Sequence, residues 1–143
     1  MEAAALMEDA DYDESGKHKV VIEDRLISGV DCYIEKPMTL GANGKWRQSK
    51  GDKKVYAANL REATRTARGL PTPSEILTFR LQVLDMSQRQ ASLLLGAGPK
   101  AFQKYEAGCE LPSMPTFNLM RAVERDPSLI KQLMGWQGLA HVH

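Results

Sequence analysis

Between Pro73 and Met134 the chain is punctuated so closely that no element there can exceed a few helical turns. Gly96-Ala97-Gly98-Pro99 interrupts one apolar-periodic stretch, Gly108 ends the next, and Asp126-Pro127 divides the last two. Glycine takes positive φ without a Cβ penalty, and proline withholds the amide that a continuing helix needs. The pieces between these breaks show helical spacing rather than strict alternation. Ile76, Leu77, Arg80, Leu81 and Leu84 follow the 3, 4, 7, 8 pattern over residues 74–84, and Asp85 closes that helix. Ser87 is placed to cap the next, to about Leu95, because its hydroxyl accepts from free first-turn amides. Ala91, Leu94 and Leu95 face inward there. Pro99 suits the first turn of a helix over about residues 100–107, which stops at Gly108. Ser113 caps a fourth over 114–125, and a fifth runs from Asp126-Pro127 to about Met134. The expected fold class is mainly α, with five short helices in this region.

The first half reads differently. Val20, Val21 and Ile22 form a β-branched run, Ser28-Gly29 marks a turn, and residues 30–34 form a second strand candidate, together a hairpin or small antiparallel sheet. Pro37, Gly41, Asn43 and Gly44 supply loop chemistry. Residues 43–54 carry Lys45, Arg47, Lys50, Lys53 and Lys54 around Trp46 and read as a basic loop or tail. It is either a second nucleic-acid contact or a linker. A helix is expected over 55–68, with Tyr56, Leu60 and Ala63 on one face and Arg61, Arg65 and Arg68 on another. Gly69, Pro71 and Pro73 make the boundary. Residues 1–16 are thus read as an acidic disordered tail, 17–70 as a partner-binding region, and 71–143 as the helical domain.

Net charge is only +1 over 143 residues, but it is unevenly spread. The first sixteen residues carry −6, through Glu2, Glu8, Asp9, Asp11, Asp13 and Glu14, and residues 17–68 carry +6. Cys32 and Cys109 stand alone, which excludes a disulfide scaffold and a four-cysteine zinc site. His18, His141 and His143 form no ligand set with them, so no metal or other cofactor is expected. The apolar runs are too short to span a bilayer, and Met1 is followed by acidic residues rather than a basic leader. A cytoplasmic protein with no membrane association is the expectation.

The second and third helices, joined by a tight glycine turn, have the layout of a helix-turn-helix whose second helix enters the major groove. Ala91 must be small where the two helices cross, while Phe102 and Tyr105 pack the recognition helix onto the core. Pro99, Lys100, Gln103 and Lys104 then face outward. Lysine reaches guanine or phosphate, and glutamine pairs with adenine. Ser87 and Gln88, at the first turn of the preceding helix, are placed for backbone phosphate. Glu106 reads as a structural ion-pair or capping partner, since a carboxylate facing phosphates is repelled. The candidate DNA-binding set is therefore Ser87, Gln88, Pro99, Lys100, Gln103 and Lys104.

The run Ser87-Gln88-x-x-Ala91, Leu95-Gly96-x-Gly98, Ala101-Phe102-x-x-Tyr105-Glu106-x-Gly108 and Leu111-Pro112-Ser113 resembles the Cro/Xre-type helix-turn-helix family. The glycine turn followed by Lys100-Ala101-Phe102-Gln103-Lys104-Tyr105-Glu106 is similar, more narrowly, to the MqsA antitoxin family. The resemblance covers residues 74–134. It implies a homodimer that binds palindromic double-stranded operator DNA through its C-terminal domain and a cognate toxin through its N-terminal region. Two departures stand out. The family's DNA-reading Asn and Arg map onto Lys100 and Lys104, and its two zinc-binding Cys-x-x-Cys pairs are missing, which implies a zinc-free variant.

No phosphate loop, dinucleotide fingerprint or nucleophile-base set is present, so the chain is not expected to be an enzyme. The reading is an antitoxin that represses its own operon and neutralises a toxin. The alternative is a plain Cro/Xre-type repressor, phage-borne for instance, without a toxin partner. Leu133, Met134, Trp136 and Leu139 are candidates for a dimer interface, the alternative being intradomain packing, which is the more frequent role of an apolar stripe past the last helix.

Overall fold

The computed structural model describes residues 17–23 and 29–138. The acidic block 1–16, Ser28 of the expected turn, Leu139, His141 and His143 lie outside them. The chain divides into two compact units, 1–69 and 70–143. The described part is mainly helical, with a small hairpin near its start, as the sequence leads one to expect.

In the first unit, β1 (His18–Glu23) pairs antiparallel with β2 (Gly29–Ile34), setting Val20 opposite Cys32 and Ile22 opposite Val30. Side chains alternate faces along a strand. Ile22 and Ile34 are accordingly buried on one face, while Val21 and Tyr33 are exposed on the other. The expected loop holds a second, shorter hairpin, β3 (Thr39–Leu40) with β4 (Trp46–Arg47). Its turn closes through the Gly41 amide on the Lys45 carbonyl, with Gly44 at φ 78°.

Helix α1 (Lys50–Arg68) begins five residues before the apolar periodicity places it, and corrects the reading of 43–54 as a loop or tail. The physical reason is a capping box. The Ser49 hydroxyl accepts from the Asp52 amide at 3.0 Å, and the Asp52 carboxylate accepts from the Ser49 amide at 2.9 Å. The Thr39 hydroxyl also donates to Asp52 and ties β3 to this first turn. Gly69, at φ 66°, ends the helix. The β1–β2 hairpin is held to α1 by Tyr56 and His18 (3.0 Å), by the Asn59 amide on the Glu35 carbonyl, and by Arg68 on the Glu23 carbonyl.

The second unit opens with α2 (Pro73–Phe79), which continues as a wider π turn (Arg80–Leu84) and stops at Asp85, φ 51°. Its buried face differs from the expected one. Ile76, Phe79 and Leu84 are buried and Arg80 and Val83 half-buried, whereas Leu77 and Leu81 are exposed. Two overlapping 3, 4, 7, 8 rows exist on this helix. Both contain Arg80, and the row with Phe79 buries the larger apolar side chain.

Helix α3 (Gln88–Leu94) is capped by Ser87 with Gln90, α5 (Met114–Arg125) by Ser113, and α6 (Leu129–Trp136) follows Asp126. Between α3 and α5 lies α4 (Ala101–Glu106), whose N-cap is Lys100, so Pro99 stands in the turn before it rather than inside it. The core joins Ile76, Phe79, Leu84, Met86, Ala91, Leu94, Phe102, Tyr105, Met120 and Val123 with Leu133 and Met134. The last two are therefore packing residues of this unit, the second of the two roles open to them in the sequence. Trp136 is 74% exposed.

Candidate nucleic-acid interface

Helices α3 and α4 both end in the same way. After α3, the Ala97 amide donates to Ser92 and the Gly96 amide to Leu93. After α4, Cys109 donates to Lys104 and Gly108 to Tyr105. Both are the paired bonds of a Schellman end, which needs a left-handed residue at the step after the cap. Gly96 (φ 68°) and Gly108 (φ 77°) occupy those positions. An added Cβ at Gly96 would meet nothing within 4 Å, so the glycine is required by the sign of φ and not by crowding.

Ala91 is fully buried where the sequence expects a close crossing, and Phe102 has no exposed surface. The next residue after Ala91, Ser92, carries no periodic signal. It is buried, and its hydroxyl donates to the Gln88 carbonyl at 2.7 Å while accepting from the Phe102 amide at 2.9 Å. One side chain thus satisfies a first-turn amide of α4 and couples it to α3. Replacing it leaves that amide buried without a partner, at a cost of about 1–3 kcal/mol. Ser92→Ala is therefore expected to speed hydrogen exchange at the Phe102 amide about 5- to 150-fold. Exchange as slow as in the wild type would show that the hydrogen bond carries no stability.

Glu106 is the second coupling. It receives a bidentate pair from Arg80, Nε to Oε2 at 2.7 Å and Nη2 to Oε1 at 3.0 Å, with the side chains only 13% and 9% exposed. Arg80 Nη1 also donates to the Met86 carbonyl. Burial pushes the Glu106 carboxyl up, but the hydrogen bonds of Arg80 and Gln88 and the Arg80 charge outweigh it, and its pKa is lowered. Glutamate in the structural role is what the sequence suggests. Its partner is legible there only as an arginine placed on an otherwise apolar stripe.

The candidate residues separate into two groups. Pro99, Lys100, Gln103 and Lys104 are all exposed at and after the turn into α4. Ser87 is exposed, with its hydroxyl used in capping Gln90. Gln88 is half-buried, and its amide nitrogen donates to Glu106 at 3.0 Å, so its side chain braces the network. Arg89 is exposed beside it in the first turn of α3, a cation that periodicity alone does not mark. Among the described residues no group of three His, Cys, Asp or Glu side chains is arranged to hold a metal ion, and no helix is long and apolar enough to cross a membrane.

The model of the MqsA family, the antitoxin component of a bacterial toxin-antitoxin system, matches residues 40–134, more than half of the chain. The chain belongs to the MqsA antitoxin family. The MqsA match runs from the last residue of β3 through β4 and α1 to the last helix of the second unit, and so starts well before the motif residues. Antitoxin MqsA of Escherichia coli (strain K12) is 24% identical over 85 residues, covering 59% of this chain. The aligned part spans 65% of that relative's length.

Proposed function

We propose that this chain is the antitoxin of a type II toxin-antitoxin system and a sequence-specific repressor of its own operon. Family membership supports the antitoxin role. The observation that carries the DNA-binding role is the exposed row Lys100, Gln103 and Lys104 on a short helix held from behind by Ser92 and by the Arg80–Glu106 pair. Lys100, Gln103 and Lys104 read base edges, Pro99 sets the entry of the helix, and the first turn of α3 at Ser87 and Gln88 faces phosphate with backbone amide rather than with the Gln88 side chain, which is engaged by Glu106. Two copies place their recognition helices about 34 Å apart on successive major-groove faces, as two-fold operators require. The first unit takes the cognate toxin, and catalysis has no part in the mechanism. The site of action is the cytoplasm, where operon and toxin are both found.

Fluorescence anisotropy on the operon's own upstream duplex and on a random duplex tests this. Lys104→Ala is expected to weaken binding by about 1–3 kcal/mol on the operator if the side chain reads a base, and about equally on both duplexes if it meets only phosphate. No loss on either duplex removes Lys104 from the interface. For the toxin, the intact chain is expected to co-purify with the product of the adjacent gene when the two are co-expressed. Failure to do so favours the plain repressor.

A further inference from the structure

Past residue 134, where the match to the MqsA family ends, helix α6 runs on to Trp136 and is stopped by Gly138 at φ 70°. Gln137, just before that stop, turns back on the motif. Its side-chain amide donates to the Leu94 carbonyl at 2.6 Å, from 43 positions away in the chain. Leu94 is the last residue of α3 and is only 1% exposed, so its carbonyl is closed off from water. The three carbonyls before it are taken from within the motif: Ala91 by the Leu95 amide, Ser92 by Ala97 and Leu93 by Gly96. Gln137 supplies the next bond of that series from another helix.

The turn that follows α3 has little else to steady it. Gly96 and Gly98 stand at φ 68° and 94°, and a Cβ built on either would meet nothing within 4 Å. Glycines leave the backbone a wide choice of dihedrals, so here the hydrogen bonds at the end of α3, with Ala97 resting against the core, restrain the path. The Leu94 carbonyl belongs to the peptide that leads out of α3. Holding it holds the point from which the turn departs toward Lys100, the N-cap of α4. An amide donor also suits this place, since the free carbonyls of a helix C-terminus carry partial negative charge.

We propose that Gln137 is a positioning residue for the recognition helix: it latches the end of α6 to the α3–α4 turn and so keeps α4 where base reading needs it. The inference rests on the reading of α4 as a recognition helix and adds to it a residue outside the motif. Without the latch, Lys100 and Lys104 keep their charges but lose a fixed approach. Contacts that specify bases then suffer more than contacts with phosphate.

The test compares the intact wild-type chain with Gln137→Ala, Gln137→Glu and Gln137→Lys by anisotropy on operator and random duplexes, well below the melting temperature. A hydrogen bond of this kind is worth a factor of about 2–12 in an equilibrium. Gln137→Ala is expected to weaken operator binding by about that factor and random-duplex binding by less than about twofold, so that the ratio between them falls. Gln137→Glu should lower the ratio at least as far, because a carboxylate has no donor and is repelled by a helix C-terminus. Gln137→Lys, a donor that suits that end, should restore it. Hydrogen exchange in the alanine variant should quicken at the Gly96 and Ala97 amides and not at that of the fully buried Val123, which a general loss of stability does not produce. An unchanged ratio in Gln137→Ala, with Lys104→Ala still weakening operator binding, overturns this inference alone. So does a lysine variant no better than alanine, or an equal loss on both duplexes with exchange quickened throughout the unit. Absence of all duplex binding by the wild type overturns the DNA-binding reading and this inference with it.

Discussion

Phe102→Ala is expected to be the most destabilising single truncation in the second unit. The ring has no exposed surface, lies 5.6 Å from that of Tyr105, and belongs to the cluster shared by α2, α3, α4 and α5. Removing a buried phenylalanine costs about 3–5 kcal/mol, through lost transfer energy and the cavity left behind. For a unit of this size each kcal/mol lowers the midpoint by roughly 4–8 °C, so a drop of about 12 °C or more is expected in calorimetry. Operator binding should fall with it even at temperatures where the chain stays folded, because α4 loses its anchor opposite the exposed lysines. Phe102→Leu should recover most of the stability. A midpoint within about 4 °C of the wild type for the alanine variant would mean that the core is held elsewhere.

Glu106→Gln is the second large effect, and it separates charge from shape. The amide keeps the size and one acceptor oxygen but leaves the Arg80 guanidinium without its counter-charge in a nearly dry site. Breaking one side of such a pair costs more than the pair itself contributes, here about 2–3 kcal/mol after allowing for its residual exposure. The double variant R80M/E106L, which removes both charges and keeps apolar bulk, should be more stable than Glu106→Gln alone. If it is no more stable, the buried charge is not what the single variant exposes.

The pH dependence follows from the same pair. The carboxyl pKa is lower in the folded than in the unfolded chain, so the unfolded state binds the proton more readily. The stabilisation is complete above the free glutamate value of 4.5 and is lost as pH falls through the lower folded value. Denaturant melts at pH 7 and near pH 3 are expected to show the gap between wild type and Glu106→Gln narrowing at the acid end. A gap that stays constant or widens contradicts the assigned direction.

Much of the second unit is legible in its amino-acid sequence. Its glycines, prolines and capping serines act over three or four residues, and such local chemistry survives in any tertiary context. Ser87, Gly96, Gly108 and Ser113 therefore mark their helix ends within a residue or two. The capping box Ser49-x-x-Asp52 is equally local, but the five surrounding cations disguise it as a loop. The short β3–β4 hairpin carries too little apolar alternation to be seen.

Packing decided the rest. Sequence periodicity admits two overlapping rows on α2 that share Arg80, and only packing selects Phe79 and Val83 over Leu77 and Leu81. Ser92 reads as a neutral helix residue until the Phe102 amide is brought to it from ten positions away. Leu133 and Met134 could equally have faced a second copy, and the core of this unit takes them. The sequence by itself determined where the helices of the second unit start and stop, to within a residue or two, and which short helix carries the exposed lysines, because those follow from backbone dihedrals and unpaired amides nearby. Which polar side chains lock that helix in place was decided by the tertiary structure alone, because burial of a charge or hydroxyl depends on partners distant in the chain.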